Sequence, residues 1–189
     1  MTLRIVTPPA VEPATTAEVK TDARIDSSSL DATIAVLITA ARKVAEDRTG
    51  RALITQTWEL VLDAFPAAEI EIGLMPIQSI TWVKYYDSDG ALQTLGSDQY
   101  VLDVDTMPGW LLPAYGVSWP STYAVANAVI IRFVAGYGAA ASNVPAELRM
   151  WIRAQAAAAI DHQDGLMDGK SIPLPFIDGL LDSYRLRWI

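Results

Sequence analysis

The sequence predicts an α+β fold: a small helical bundle built from the N- and C-terminal segments, with a mostly antiparallel β region inserted between them. Apolar residues recur at helical spacing in residues 28–50 and 145–160, whereas residues 53–137 mostly alternate with the period of two that is typical of strands. The predicted regions are an extended N-terminal arm (1–14), the helical bundle (15–52 and 144–189) and the inserted β region (53–143).

The first two helices have local start and stop signals. Thr15 and Glu18 have the spacing of a capping box, which predicts a short helix ending near Ala23. Residues 28–31 open a second, longer helix, and Gly50 is placed to end it. The proline-rich residues before Thr15 show no periodicity and are expected to form an extended arm.

Alternating segments predict the strands. They are residues 57–63, 70–72, 80–86, 100–104 and 128–137. Asp87 to Gly90 predicts a hairpin turn. The pairs Pro108-Gly109 and Trp119-Pro120 are expected to lie in loops.

The last third of the chain returns to helix. Pro145 and Glu147 suit the first turn of a helix, and Leu148, Trp151 and Ile152 begin its apolar stripe. A further short helix is expected near residues 176–184.

Composition narrows the class of protein. The chain of 189 residues is 51% hydrophobic with six Trp and a mean hydropathy of +0.23. The longest apolar stretch, residues 32–41, is too short for a membrane span, and residues 1–9 lack the apolar core of a signal peptide. The excess apolar surface is therefore expected to bind other subunits, because aromatic residues are enriched at interfaces.

Charge and cysteine content exclude several functions. Without Cys the chain has no disulfide, thiolate metal site or cysteine nucleophile. With a net charge of −8, the chain lacks the positive surface that is typical of a DNA-binding protein. Such a charge suits a surface past which DNA slides.

Candidate catalytic and metal-binding groups do not converge. His162 is the single histidine, and with Asp161 and Asp164 it is better interpreted as a polar helix end than as a metal site. Asp103 and Asp105 are a possible carboxylate pair, but a solvated strand face is the favoured interpretation.

The remaining candidates have structural interpretations too. Asp87 and Asp89 suit a turn, and residues 136–138 (GYG) are a weak phosphate-binding signal. The basic residues around the end of the second helix are favoured there by the helix dipole; they are Arg42, Lys43, Arg48 and Arg51. We therefore predict no catalytic residues, no cofactor and no metal, and expect the protein not to be an enzyme.

Several segments, in this order and spacing, resemble the head-tail connector (adaptor, head-completion) family of long-tailed phages and phage-derived gene transfer agents. They are residues 16–20 (TAEVK) with Ile25-Asp26, 40–51 (AARKVAEDRTGR), 52–58 (ALITQTW), 132–138 (RFVAGYG), 144–149 (VPAELR) and 180–185 (LLDSYR). The resemblance covers residues 15–189.

The resemblance implies a structural subunit at the head-tail junction of a virion or phage-like particle, made in the cytoplasm of a bacterial host. Such a subunit forms a ring below the portal protein, expected to be a dodecamer, which extends the DNA channel and joins head to tail. The implied partners are the portal, copies of the same chain and the next tail or stopper component. DNA would pass without sequence-specific binding, and no membrane is involved.

The last six residues are the candidate docking segment for the portal or a neighbouring copy. Apolar and basic side chains alternate there, as in an extended segment that adds to a partner surface; the residues are Tyr184, Arg185, Leu186, Arg187, Trp188 and Ile189. The competing interpretation is a terminal element that covers its own domain.

Three alternatives to a connector stay open. One is another tail-assembly or capsid-accessory protein. The second is a carbohydrate-binding or adhesion module of the β region, with exposed Trp82, Trp110 and Trp119 stacking on sugars. The third and weakest is a hydrolase that uses Asp103 and Asp105.

Overall fold

A computed structural model describes residues 1–161 and 175–186, and within them the chain is an α+β protein, as predicted. The described helices are α1 (Thr16–Ala23), α2 (Asp31–Thr49), α3 (Ala146–Asp161) and α4 (Pro175–Gly179). The strands are β1 (Thr2–Thr7), β2 (Gln56–Leu62), β3 (Ile70–Ile72), β4 (Ile77–Tyr86), β5 (Leu92–Leu95), β6 (Tyr100–Asp103), β7 (Gly109–Pro113) and β8 (Val129–Ala135). The chain divides into a β unit (residues 1–9 and 55–136) and a helical unit (residues 10–54 and 137–189).

The helical unit forms because two long helices carry apolar stripes that pack together. The capping box at Thr15 is present, since its hydroxyl accepts the Glu18 amide and the Glu18 carboxylate accepts the Thr15 amide. Gly50 ends α2 in the left-handed conformation at φ 67°. The unit's core is the set of buried apolar residues on these helices and their flanks: Ala14, Val19, Ile34, Ile38, Ala41, Ala45, Leu53, Ile54, Val144, Leu148, Trp151, Ile152, Ala156 and Leu181.

The β unit contains two antiparallel sheets. The larger has the order β1-β2-β8-β4-β5 and the smaller the order β3-β7-β6. Strand β8 lies at the centre of the larger sheet, and its residues alternate between fully buried and half-buried. The predicted hairpin turn joins β4 to β5.

Two segments differ from the sequence prediction. Residues 2–7, expected to belong to an extended arm, pair with β2 as an edge strand. Gly109, expected in a loop, begins β7, where a Cβ would lie 2.5 Å from Cδ1 of Ile77; the glycine permits this close approach. The pairing of residues 2–7 is not visible locally, because its partner is about fifty residues away; β7 pairs both with the neighbouring β6 and with the more distant β3.

No helix in residues 1–161 or 175–186 is both long and apolar enough to span a membrane.

Candidate assembly surfaces

Arg42 is the centre of a buried ion network in the helical unit. Its side chain is 7% exposed; Nε donates to Oε2 of Glu12 at 2.7 Å, and a terminal nitrogen donates to Oε2 of Glu46 at 2.6 Å. Oε1 of Glu46 in turn accepts the backbone amide of Leu53. The network ties the segment before α1 and the segment after α2 to α2 itself.

The other basic residues of this cluster have separate roles. Arg51 is buried and donates to the carbonyl oxygen of Tyr184 at 2.7 Å. Arg48 pairs with Asp178 at 3.2 Å and lies over the ring of Trp151, whereas Lys43 is exposed. Arg42 and Arg51 therefore have hydrogen-bond partners within the helical unit in addition to a favourable position near the end of α2.

Ion pairs also join α1 to α3. Arg149 pairs with Glu18 at 2.9 Å, and Arg153 pairs with Asp22 at 2.7 Å. The backbone hydrogen bond at Thr15 and the neighbouring arginines outweigh burial and hold the pKa of Glu18 below its usual value. The hydrogen bond from Arg153 to Asp22 raises the pKa of Arg153.

The start of the candidate docking segment contacts the chain's own helical unit. The hydroxyl of Tyr184 donates to Glu147 at 3.0 Å, and the amide of Leu186 donates to the carbonyl of Thr49 at 3.2 Å. Arg185 is exposed and lies 3.3 Å from Asp182. Arg187, Trp188 and Ile189 lie outside the described residues.

One face of α2 exposes apolar side chains. Val36 is 68% exposed and Val44 is 41% exposed. A shallow groove of about 420 Å³ runs along this face, lined by Ala35, Val36, Thr39, Ala40 and Lys43. Isolated exposed apolar residues are ordinary; here they are adjacent along one helix face and border the groove.

A charged row crosses four strands of the larger sheet. Arg4, Glu59, Arg132 and Trp82 are register partners on β1, β2, β8 and β4. The Glu59 side chain is 3% exposed and accepts from Nε of Arg4 at 2.6 Å and from Nε of Arg132 at 2.9 Å. Burial acts to raise the pKa of Glu59, but these hydrogen bonds outweigh it, so the pKa lies below its usual value.

None of the three Trp residues proposed to stack on sugars is fully exposed. All three are half-buried. Arg132 and Lys84 lie 4.6 and 4.8 Å from the ring centroid of Trp82. Trp119 stacks on Phe65 with a centroid separation of 5.0 Å and donates to the carbonyl of Ala68. The expectation of fully exposed rings is thus wrong; for Trp82 and Trp119 the reason is that cations and an aromatic neighbour pack against the rings.

The aspartates considered as catalytic groups bind backbone amides instead. Oδ1 of Asp87 accepts from the amides of Asp89 and Ala91. The hydrogen bond from Gln93, followed by the one from Ala91, lowers the pKa of Asp87.

Asp103 has the same role at the end of β6. Its Oδ1 accepts from the amide of Asp105 at 2.9 Å, and its Oδ2 accepts from the hydroxyl of Thr106 at 3.1 Å. Asp105 follows the strand and does not lie on it. The two carboxylates are therefore part of a turn.

The glycine segment 136–138 is likewise a turn. The amide of Gly136 donates to the carbonyl of Pro76, and the amide of Tyr137 donates to the carbonyl of Leu53. A Cβ on Gly138 would lie 2.5 Å from the side chain of Asn143, which explains the glycine.

No group of three or more His, Cys, Asp or Glu side chains able to hold a metal occurs among the described residues. His162 and Asp164 lie outside those residues.

An exposed aromatic loop joins β7 to β8. Tyr115 is fully exposed, and Tyr123 and Val125 are about half exposed. Residues 106–131 contain no charged side chain. This loop and the α2 groove are the apolar surfaces that composition indicated without locating.

Sequence reasoning missed Glu12, Glu46 and Glu59. The signal for Glu59 is present, since it is a single acidic residue within an apolar strand. Glu12 and Glu46 carry no such signal, because their partner Arg42 is identified only by the fold.

Comparison with known proteins gives matches at the level of structure. No family model matches the sequence, and no curated protein matches it significantly. A chain from the neck of an empty gene transfer agent (GTA) particle, computed with C6 symmetry, is 24% identical, with a TM-score of 0.84 over 100% of this chain and 97% of that chain. A chain from the virion of a native GTA particle is 23% identical, with a TM-score of 0.82. A chain from the neck of a native GTA particle, computed with C12 symmetry, is also 23% identical, with a TM-score of 0.77. Each of these two matches spans 100% of this chain and 97% of the other chain. The resemblance seen in the sequence is therefore confirmed in the fold: over its whole length, this chain has the fold of chains from the neck and virion of gene transfer agent particles.

Proposed function

We propose that this chain is a structural head-tail connector (adaptor) subunit, without catalytic activity, that forms a ring below the portal, extends the DNA channel and joins head to tail. The observation that carries the proposal is the whole-chain match to a chain from the neck of a GTA particle at a TM-score of 0.84. One matched neck was computed with C6 symmetry and another with C12 symmetry, which supports a ring. We propose that this ring is a dodecamer whose symmetry matches that of the portal.

The exposed apolar surfaces fit this role. A ring uses heterologous contacts, in which one patch of a subunit meets a different patch of its neighbour. The α2 groove and the loop at Tyr115 are two different apolar patches, one on each unit. We propose that these patches contact neighbouring copies in the ring, the portal and the next tail or stopper component. No membrane partner is proposed.

The charge of the β unit suits a DNA channel. This unit has three basic residues, Arg4, Lys84 and Arg132, all in or next to the Glu59 row. Its nine acidic residues are Glu59, Asp63, Glu69, Glu71, Asp87, Asp89, Asp98, Asp103 and Asp105. A surface with this excess of carboxylates repels phosphate, so DNA would pass without being retained.

The proposed location is the head-tail junction of a virion or phage-like particle assembled in a bacterial cytoplasm. Imaging of particles with and without the gene tests this directly. We expect a ring of this chain between portal and tail, and tailless particles that lose their genome when the gene is deleted. Tailed, filled particles without the chain, or a neck that lacks it, would refute the proposal.

The docking role of residues 184–189 is tested by two truncations. Removal of residues 187–189 keeps the contacts of Tyr184 with Glu147 and of Leu186 with Thr49. Removal of residues 184–189 also deletes these contacts. If the segment docks on the portal or a neighbour, the shorter truncation already reduces incorporation into particles while the thermal unfolding midpoint is unchanged. Normal incorporation of the shorter truncation would show that the segment only covers its own unit.

A further inference from the structure

We propose that the free edge of strand β3 binds a short extended segment in which a basic residue precedes apolar ones, and that residues 187–189 (Arg-Trp-Ile) of a second copy of this chain are that segment. The inference rests on the proposed function in one respect, namely that copies of the chain meet in a ring.

The outer edge of β3 has unused backbone groups. β3 pairs with β7 on one side, through Ile70 with Leu111 and Ile72 with Gly109. In the part of the chain that the structure describes, no backbone hydrogen bond reaches residues 70–72 from the other side. Free strand edges can accept a further strand, and charge on the edge limits which one: the acidic edge of β3 disfavours an acidic strand and admits a basic one. A three-residue strand accepts a short segment of similar length.

The side chains along this edge define the charge of the occupant. Glu69 and Glu71 alternate with Ile70 and Ile72, so the edge presents carboxylates on one face and buried isoleucines on the other. Neither glutamate forms an ion pair within residues 1–161 and 175–186. Residues 85–131, which include all of β6 and β7, contain no Lys or Arg. An opposing basic strand would supply the missing positive charge.

Glu71 gives the most specific indication of which side chain the docked segment carries. Its Oε1 is shielded from solvent and accepts no hydrogen bond from any residue that the structure describes. The residue as a whole is half-buried, so an incoming arginine can form a charge-assisted hydrogen bond with the carboxylate only where the carboxylate reaches the surface. Glu71 lies opposite Trp110, whose ring is half-buried and offers a cation–π surface beside the carboxylate. The pair therefore favours the flat guanidinium of Arg over the ammonium of Lys.

The chain itself contains a segment with this chemistry. Residues 187–189 read Arg-Trp-Ile, so a basic side chain precedes two apolar ones. In strand pairing, Arg187 would lie on the face of Glu71, and Trp188 on the face of Ile70 and Ile72. Opposite charges on directly paired residues stabilise such a pair. Leu186 donates its amide to the carbonyl of Thr49 in its own helical unit, so the proposed segment begins after it.

Binding of a synthetic peptide to the full-length chain tests the inference. The probe is a fluorescently labelled peptide of residues 182–189, and the measurement is fluorescence anisotropy at low and at physiological salt. We expect saturable binding that weakens with salt, and that weakens about tenfold or more with Glu71→Gln, as is typical when a charge-assisted hydrogen bond is lost. A peptide with Arg187→Gln should lose binding to the same extent.

Matched controls separate the site from general charge. Asp98→Asn removes an exposed carboxylate of the same unit that is not on β3 and should leave binding unchanged. Glu71→Gln should leave the unfolding midpoint unchanged, since the carboxylate oxygen that it replaces has no described partner. Absence of peptide binding, equal binding by the Glu71→Gln chain, or binding only of a basic segment from the portal would overturn the inference.

Imaging of particles that carry Glu71→Gln distinguishes this inference from the proposed function. If Glu71→Gln abolishes peptide binding but the ring still forms in particles, the β3 contact between copies is refuted and the connector role stands. Peptide binding retained by a chain that is absent from the neck would refute the connector role and leave self-association at β3.

Discussion

Replacement of Arg42 by Met is the sharpest test of how the helical unit is held together. The Arg42 side chain is 7% exposed and joins Glu12 to Glu46 through hydrogen bonds of 2.7 and 2.6 Å. Methionine keeps the apolar stem of the side chain and removes the charge. Both carboxylates then lose their hydrogen bonds to Arg42, although Glu46 still accepts the amide of Leu53.

The expected loss follows from the burial of each partner. Removal of one member of a fully buried pair costs about 3–5 kcal/mol, because the remaining charge has no compensation. Here Glu46 is 12% exposed and Glu12 is 29% exposed, so water recovers part of the loss. We therefore expect the free energy of unfolding of the helical unit to fall by about 2–3 kcal/mol.

The assay is urea denaturation followed by circular dichroism at a helix-sensitive wavelength, which reports mainly on the helical unit. Lys43→Met is the matched control, since Lys43 is the next residue on α2 and is exposed. Its expected cost is under about 0.5 kcal/mol. A double-mutant cycle with Glu12→Gln should give a coupling energy of about 1 kcal/mol or more. Equal midpoints for the Arg42 and Lys43 variants would refute the reasoning.

Three further predictions concern other parts of the chain. The pKa of Glu59 is lowered in the folded state, so its charge contributes stability above its ordinary pKa of 4.5 that is lost as the pH falls through the folded value. Thermal midpoints measured from about pH 3 to pH 7 should therefore fall less steeply on the acid side for Glu59→Gln than for the wild type, and parallel curves would contradict this. Gly50→Ala should cost more than Gly90→Ala: both glycines have positive φ, but a Cβ at Gly50 would lie 2.6 Å from Cδ1 of Leu186, whereas at Gly90 it meets open space. In urea denaturation we expect about 1 kcal/mol for Gly90→Ala and a larger loss for Gly50→Ala, and equal losses would argue against the contact with Leu186. Thr15→Ala should cost about 1 kcal/mol in the same assay, because it removes the cap of α1.

The sequence predicted most of the elements because their signals are local. The capping box at Thr15, the glycine stop at Gly50 and the hairpin after Tyr86 each depend on residues within a few positions of one another. The partner of a strand, by contrast, is not determined by neighbouring residues. Strand β1 pairs with β2 across about fifty residues, and nothing in residues 2–7 indicates that partner.

The candidate surfaces divide in the same way. An excess of apolar and aromatic residues predicted interaction surfaces, and the fold shows that exposed apolar side chains lie on α2 and in the loop at Tyr115. Trp82 and Trp119, expected to be exposed, are in contact with Arg132 and Phe65. The exposure of a side chain depends on packing between distant segments, so composition does not predict it.

By itself, the sequence determined the α+β class, the two terminal helical segments around a β insertion, and the resemblance to head-tail connectors, because periodicity, capping and motif order are properties of neighbouring residues. The tertiary structure alone decided that Arg42 is buried between Glu12 and Glu46, that Glu59 joins Arg4 to Arg132, and that β3 has a free acidic edge. The physical reason is that burial and charge pairing depend on which distant residues meet, and only the folded chain brings them together.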